Sequence, residues 1–238
     1  MFPKILIAAP QHESKNYCWD LWAERVKSLT YPNYDVFISD NSPTKDNLKI
    51  IKSKGFNAKH TPSNKKGLLH TINDSHNACR NYALTNNYEY ILHLETDIIP
   101  PFDVIERLLN HKRKICSGLY DLFHGKKRKL MVQIPEDYDR SIRGYRTVGY
   151  AEERESNFFD GKIKKVYHAG IGCILIHKSV LKKFPFRVVS GIDFHSDTWF
   201  ANDCYMHNIP IYVDTTLMCE HLNSTWLSVK EEVLNFKA

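Results

Sequence analysis

The sequence predicts an α/β fold: a mixed, mainly parallel sheet flanked by helices. Two observations carry that expectation. Through the first half, apolar runs of strand length alternate with stretches whose apolar residues recur at helical spacing, the β-α-β-α-β order of a doubly wound sheet. The run Tyr90-Ile91-Leu92-His93-Leu94 is almost continuously apolar, as a strand covered on both faces has to be.

Taken in order, Lys4 to Pro10 reads as a first buried strand stopped by proline. Residues 14–29 place Trp19, Trp22, Val26 and Leu29 at helical spacing. Tyr34 to Asp40 is a second strand that runs into Asn41-Ser42-Pro43-Thr44-Lys45-Asp46, a cluster of turn formers. Leu48 to Ser53 reads as a short helix and Asn57 to Thr61 as a third strand. Ser75 to Asn86 is helical, with Ser75 as its cap and Ala78, Tyr82 and Leu84 turned inward. The strand from Tyr90 follows, then a helix from Phe102 to His111.

The second half is less regular. Lys114 to Leu119 is a strand, and Gly125 to Lys129 is a basic turn leading into Leu130 to Ile134, so that the two strands suit a hairpin. Residues 136–165 are dense in charge and weak in periodicity, which predicts a long excursion. Tyr167 to Ile176 returns to strand character, and its Gly170 and Gly172 imply the close approach of another backbone or a ligand. Ser179 to Phe184 gives a turn or two of helix, Ser196 to His207 a helix, Ile209 to Val213 a strand, and Thr216 to His221 a last extended segment. Asn223 to Phe236 is an amphipathic helix (Trp226, Val229, Val233, Leu234) suited to packing on its own domain or to meeting a partner.

Bulk properties narrow the function. A chain of 238 residues, 42% hydrophobic and 25% charged, can bury a full core. The net charge of +6 permits an anionic ligand but falls short of a strongly basic nucleic-acid binder. The six cysteines are scattered without a C-x-x-C pair, which suits small buried residues in a reducing compartment better than a disulfide framework or a zinc site. No apolar run approaches the roughly 20 residues of a membrane span. Met1-Phe2-Pro3-Lys4 lacks a signal-peptide core. The expected location is the cytoplasm.

The chemistry concentrates where the Tyr90 strand breaks into Glu95-Thr96-Asp97 before two prolines. In extended backbone, side chains two apart leave the same face, so Glu95 and Asp97 would converge with Thr96 turned away. The carboxyl end of a buried strand is where open α/β sheets bind ligands. Two convergent carboxylates repel unless a cation or a shared proton relieves them. An oxygen-seeking dication holding a nucleotide's phosphates meets that need, and a pair of solvated acids is the plainer alternative.

These features, in this order, resemble the GT-A glycosyltransferases, particularly the family-2-like enzymes, over a stretch from about Lys4 to His221. The resemblance implies a Rossmann-like GT-A domain over residues 1–222, with residues 1–112 as the nucleotide-binding half, 113–222 as the acceptor and catalytic half, and 223–238 as a C-terminal helix. It implies transfer of a sugar from a nucleoside-diphosphate donor, UDP-linked, to an acceptor hydroxyl with Mn2+ or Mg2+. By this resemblance Pro10, Gln11, Asp40, Asn41 and Ser42 hold base and ribose, and Arg80 of the Arg80-Asn81 pair reaches the donor or the acidic turn. Glu95-Thr96-Asp97 stands for the Asp-x-Asp signature. Its first acid departs from the family, which leaves Asp97 the stronger metal ligand and Glu95 a contact to metal, ribose or water. Gly170 and Gly172 flank the donor sugar. Ser196-Asp197 stands where the family has Glu-Asp, making Asp197 the acid that takes the acceptor proton, with Asp193 in reserve. Shielding by Trp199 and Phe200 would raise the Asp197 pKa towards that of a useful base. His221 completes the metal's coordination and shifts preference from magnesium towards manganese. Each assignment has a structural alternative: an Asx turn for Asp40, a helix-surface arginine for Arg80, tight packing for the glycines, an N-terminal cap for Asp197.

Two other function classes remain open in the sequence. A nucleotidyltransferase shares this kind of sheet but calls for a glycine-rich phosphate loop after the first strand, where Ala9-Pro10-Gln11-His12-Glu13 has none. A nucleic-acid-binding protein, with the polyanion as partner or acceptor, is suggested by Lys126-Lys127-Arg128-Lys129 and Lys162-Ile163-Lys164-Lys165, and its binding must weaken steeply with salt. Otherwise the acceptor is a glycan or a small molecule, with its choice expected in residues 136–165 and the C-terminal helix, which also offers a route to an oligomer.

Overall fold

The first strand, β1 (Ile5–Gln11), carries Pro10 inside it instead of ending there. The reason is local. Parallel pairing of β1 with β2 (Tyr34–Asp40) runs the full length from Ile5 to Gln11, whereas its pairing with β4 (Tyr90–Leu94) stops at Ala8. Beyond Ala8 one side of β1 faces no strand, and a proline without an N–H is tolerated there. The computed structural model describes residues 2–124, 127–135, 145–149, 157–192 and 194–222.

Between these strands lie α1 (Asn16–Lys27), α2 (Asn47–Ser53), β3 (Asn57–His60) and α3 (Leu68–Thr85). After β4 come β5 (Ile98–Ile99), α4 (Val104–Asn110), β6 (Ile115–Leu119), β7 (Asp121–His124), β8 (Lys127–Pro135) and β9 (Tyr145–Gly149). The remainder is β10 (Ile163–Val166), β11 (His168–Ala169), β12 (Cys173–His177), α5 (Lys178–Lys183), α6 (Ser196–Met206), β13 (Ile211–Met218) and β14 (Glu220–His221).

Eight strands form one sheet in the order β10-β13-β6-β12-β4-β1-β2-β3. β3, β2, β1 and β4 run parallel, β13 is parallel to β6, and β12 and β10 are antiparallel to their neighbours. This is the mixed, mainly parallel sheet the sequence predicts. Alternate residues of β1 feed two cores: Leu6 and Ala8 join Cys79 and Ala83 of α3 and Phe200 of α6, while Ile5, Ile7 and Ala9 join Trp19, Trp22 and Val26 of α1. Helices on both faces therefore bury the central strands of the sheet, while the edge strands β3 and β10 stay partly exposed. The strand order reverses between β1 and β4, which opens a crevice outside their carboxyl ends.

Several expected boundaries differ. α3 starts at Leu68, not at Ser75, behind Gly67, whose φ of 104° is a left-handed conformation that glycine adopts without strain. Ser75 is buried inside the helix, and Cys79 and Ala83 face the core more fully than Ala78, Tyr82 or Leu84. Lys127 to Lys129 belong to β8, which pairs with β7 in the hairpin, while β6 lies in the large sheet. Out of the expected excursion, β10 joins the large sheet through β13, and the two expected C-terminal segments merge largely into β13. The C-terminal helix expected over 223–238, most of 136–156 and Asp193 lie outside the described residues. All six cysteines are buried and unpaired. Among the described residues no helix is long and apolar enough to cross a membrane.

Candidate functional site

The carboxyl ends of β1, β2 and β4 meet at the crevice. Gln11, at the end of β1, is buried; its Nε2 donates to Asn16 Oδ1 at 3.1 Å and its Oε1 accepts from the Thr96 hydroxyl. That contact clamps the acidic segment to β1. β4 itself ends at Leu94, and Glu95, Thr96 and Asp97 lie in a turn closed by Ile98 N–H donating to the Glu95 carbonyl at 2.9 Å. The two carboxylates do converge, but through this turn instead of by strand alternation, with Thr96 buried between them.

What they converge on is Lys15. Its Nζ lies 3.0 Å from Asp97 Oδ2 and 3.4 Å from Glu95 Oε2. Burial works against the lysine charge, but attraction to Glu95 and Asp97 and hydrogen bonds to both outweigh it, so its pKa is raised. His221 enters from the other side, brought there by the β14–β5 pairing that sets it opposite Ile98. Its Nδ1–H donates to the Asp121 carbonyl at 2.8 Å, which turns Nε2 towards Asp97 Oδ2 at 3.5 Å. Burial alone would lift the Asp97 carboxyl; His221 and Lys15 bring it down instead to about 2. The His221 imidazole is raised, because Asp97 outweighs the burial that would lower it.

Asp97 and His221 offer a divalent cation part of a ligand set. A carboxylate whose Oδ1 is buried without a hydrogen-bond partner faces an imidazole whose other nitrogen is fixed on a carbonyl, the arrangement usual for a metal-ligating histidine. The pair fits a cation that takes further ligands from its substrate. Among the described residues no group of three or more His, Cys, Asp or Glu is placed to hold one unaided.

Around this cluster lies a cavity of about 860 Å3. Pro10, Gln11, Lys15, Asn41, Glu95 and His221 line it, together with the apolar side chains of Leu68, Ile72, Leu122, Met131, Val132 and Ile171. Asn41 N–H donates to the Gln11 carbonyl at 2.8 Å, and its side-chain oxygen is buried without a partner. His76, His168 and Asp197 also border the cavity.

Other expected site residues take different roles. Asp40 is fully buried; its Oδ1 accepts from Ser42 N–H (3.2 Å), Ser42 Oγ–H (2.6 Å) and Asn47 Nδ2 (3.0 Å), and His60 Nδ1 lies 3.4 Å from Oδ2. It organises the loop after β2 as an Asx turn, with Ser42 in turn accepting from Glu13 N–H at 2.9 Å. Arg80 points away from the site. Its Nε donates to the Leu181 carbonyl at 2.7 Å, and the cavity meets α3 at its opening turns. The space beside Gly170 and Gly172 belongs to Tyr120. A Cβ at Gly170 would lie 2.1 Å from Tyr120 Oη and one at Gly172 2.7 Å from Tyr120 Cζ, so tight packing explains both glycines.

Asp197 opens α6, where Oδ1 accepts from Thr198 N–H at 2.7 Å and Oδ2 lies 3.4 Å from His168 Nε2. The shielding that was expected to raise its pKa is outweighed. Burial pushes it up, but His168, the Thr198 N–H and His195 bring it to about 2. The Trp199 ring packs under the Arg187 guanidinium at 4.7 Å. Ser196 Oγ contacts His76 Nδ1 at 3.0 Å, which ties α6 to α3, and burial lowers the His76 imidazole to about 4, leaving it neutral. Lys15, Tyr120, His76 and His168 carry no motif in the sequence. Only Lys15 had a detectable signal, a cation in the loop directly after a strand that ends beside two acids.

The depressed Asp197 carboxyl predicts a pH dependence. Its stabilisation is complete above the ordinary carboxyl value of 3.8 and lost as pH falls through about 2. Asp197→Asn should lower stability at pH 7 by about 2 kcal/mol. Urea unfolding at pH 7 and near pH 2 checks this, with the gap to wild type closing at the lower pH.

No family model matches the sequence, and no curated protein matches it. Solved structures do match in shape. Residues 1–349 of Staphylococcus aureus TarS, in complex with UDP-GlcNAc, superpose with a TM-score of 0.58 at 13% identity, covering 92% of this chain and 59% of that one. GalNAc-T7 with UDP, GalNAc and Mn2+ gives 0.60 at 11% identity, covering 93% and 44%, and a longer S. aureus TarS gives 0.57 at 11%, covering 93% and 37%. This chain therefore spans less than two thirds of each of those proteins. At such identities the likeness is one of fold, and the sheet, with its switch point between β1 and β4 and helices on both faces, is that of the GT-A glycosyltransferases.

Proposed function

We propose that this chain transfers a sugar from a nucleoside-diphosphate donor to an acceptor hydroxyl. The observation that carries the reading is the acidic turn at the sheet's switch point, where Lys15, Glu95 and His221 line a cavity large enough for a nucleotide sugar with Asp97 directly behind them. Asp97 and His221 would hold Mn2+ or Mg2+, which when bound neutralises charge on the departing diphosphate. Lys15 sets an ammonium at the same depth for the phosphates. Asn41 replaces Asp40 as the group for the base or ribose, because its carbonyl oxygen is without a partner while the Asp40 carboxylate is occupied. Asp197, held ionised, suits accepting hydrogen bonds from sugar hydroxyls better than taking up a proton near neutral pH.

UDP is the nucleotide to test first, since TarS was solved with UDP-GlcNAc and GalNAc-T7 with UDP. The apolar lining suits the carbon face of a sugar or an apolar aglycone. Lys15 is the one lysine or arginine lining the cavity among the described residues, which favours a glycan or small-molecule acceptor over nucleic acid. Thermal unfolding with nucleotides tests the reading. UDP with Mn2+ at a hundredfold excess over Kd should raise Tm by about 5 °C or more. The absence of a rise with any nucleoside diphosphate, with or without metal, overturns it.

A further inference from the structure

We propose that Lys15 is the resident cation of the acidic turn and keeps divalent metal out of it until an anionic ligand draws the lysine away. The ammonium lies 3.0 Å from Asp97 Oδ2 and 3.4 Å from Glu95 Oε2, in the place a cation shared by the two carboxylates would take. Asp97 has a side chain only 3% exposed and does not line the cavity, whereas Lys15, Glu95 and His221 do. A metal entering from the cavity therefore meets the lysine before it meets Asp97. An ammonium on Asp97 Oδ2 and a dication on either oxygen of the same carboxylate, including the unpartnered Oδ1, would lie close enough to repel strongly. The two cations therefore compete for the carboxylate.

The segment carrying the lysine is fixed in place. Lys15 N–H donates to the His12 carbonyl at 2.8 Å and Glu13 N–H to Ser42 Oγ at 2.9 Å. The Cys18 thiol lies 3.1 Å from the Lys15 carbonyl and 3.2 Å from the Thr96 carbonyl, tying this segment to the acidic turn. A third of the Lys15 side chain is exposed, so its ammonium can swing from the two carboxylates to an anion in the cavity without moving the backbone. A diphosphate offers it a new partner and at the same time offers a metal the ligands that Asp97 and His221 leave open, so metal and nucleotide bind with positive coupling. The coupling rests on the nucleotide-sugar reading; the exclusion does not, and nucleotide-free protein tests it alone.

Titration of the nucleotide-free full chain with Mn2+, followed by calorimetry and by the electron paramagnetic resonance of free Mn2+, decides the matter. Lys15→Met should bind Mn2+ at least tenfold more tightly than wild type, Lys15→Arg should match wild type, and Asp97→Asn added to Lys15→Met should abolish the gain. Lys15→Gln makes the same test if the methionine variant fails to fold. Equal Mn2+ affinity in wild type and the neutral variants overturns the proposal, as does a gain that survives the loss of Asp97. Repeating the titration with UDP should tighten Mn2+ binding to wild type more than to Lys15→Met. If UDP binds neither protein with or without Mn2+, the donor reading fails while the nucleotide-free arm still decides the role of Lys15.

Discussion

Asp97→Ala should reduce metal-dependent donor hydrolysis by about 10²-fold or more, the loss typical when one preorganised electrostatic group is removed from a reacting centre. The same change should lower stability by about 2 kcal/mol, because it strips the shared partner from two groups at once. Lys15 retains Glu95 and can turn to water, so the destabilisation falls short of that for a fully buried orphan charge. Asp97→Asn separates the two effects. It keeps the volume and one carbonyl oxygen, so more stability should survive while hydrolysis falls nearly as far. The stability gap to wild type should also depend on pH in two directions. The Asp97 carboxyl is depressed, so its contribution is lost as pH falls from 3.8 through about 2. The His221 imidazole is raised, so its share is complete below 6.5 and lost as pH climbs past its folded value. The gap should be widest between about pH 4 and 6.5. Donor hydrolysis corrected for folded fraction, with urea unfolding across that range, checks both parts. A folded Asp97→Ala protein with unchanged UDP binding and hydrolysis overturns the site.

How much of this was legible in the sequence follows a physical divide. Strands were, because continuous apolar runs leave little choice: β2 spans the predicted residues from Tyr34 to Asp40, and β1 misses by one at each end. The crevice at the strand ends was legible too, since the carboxyl end of a buried strand is a topological address. Helix starts that rely on unusual caps were not. α3 begins behind Gly67 with no side-chain cap, and its opening turns border the cavity, so they lack a full core-facing stripe. Side-chain partnerships were least legible. Asp40 could not be assigned to an Asx turn from its type alone, because the choice depends on Ser42, Asn47 and His60 closing around it. Two acids call for a cation by their type, but nothing in their own stretch points to Lys15, which the chain supplies from 80 residues away. Arg80 was placed by motif, but its direction depends on where α5 offers a free carbonyl.

Gly170→Ala and Gly172→Ala should each destabilise the fold by about 1–3 kcal/mol or more, because neither added methyl has anywhere to go. At a domain of this size that is a fall in Tm of roughly 2–12 °C. The two should respond differently to Tyr120→Phe. At Gly170 the collision is with Tyr120 Oη at 2.1 Å and with Met131 Cγ at 2.5 Å, a hydroxyl that the substitution deletes and a flexible side chain that can move. At Gly172 the ring carbon Cζ stays at 2.7 Å whether or not it bears a hydroxyl, and Tyr120→Phe also removes the acceptor of the Gly172 N–H. A double-mutant cycle should therefore show Tyr120→Phe relieving much of the Gly170→Ala penalty and little of the Gly172→Ala penalty. Equal relief at both positions would show that the ring is not the obstacle. The effect reaches the site because Tyr120 meets the His221 ring edge to face, with centroids 5.6 Å apart, and Gly172 O accepts from Glu95 N–H at 2.9 Å. A methyl that displaces either contact moves a member of the acidic turn's cluster, so Gly172→Ala should weaken UDP binding in whatever fraction remains folded, although residue 172 does not line the cavity.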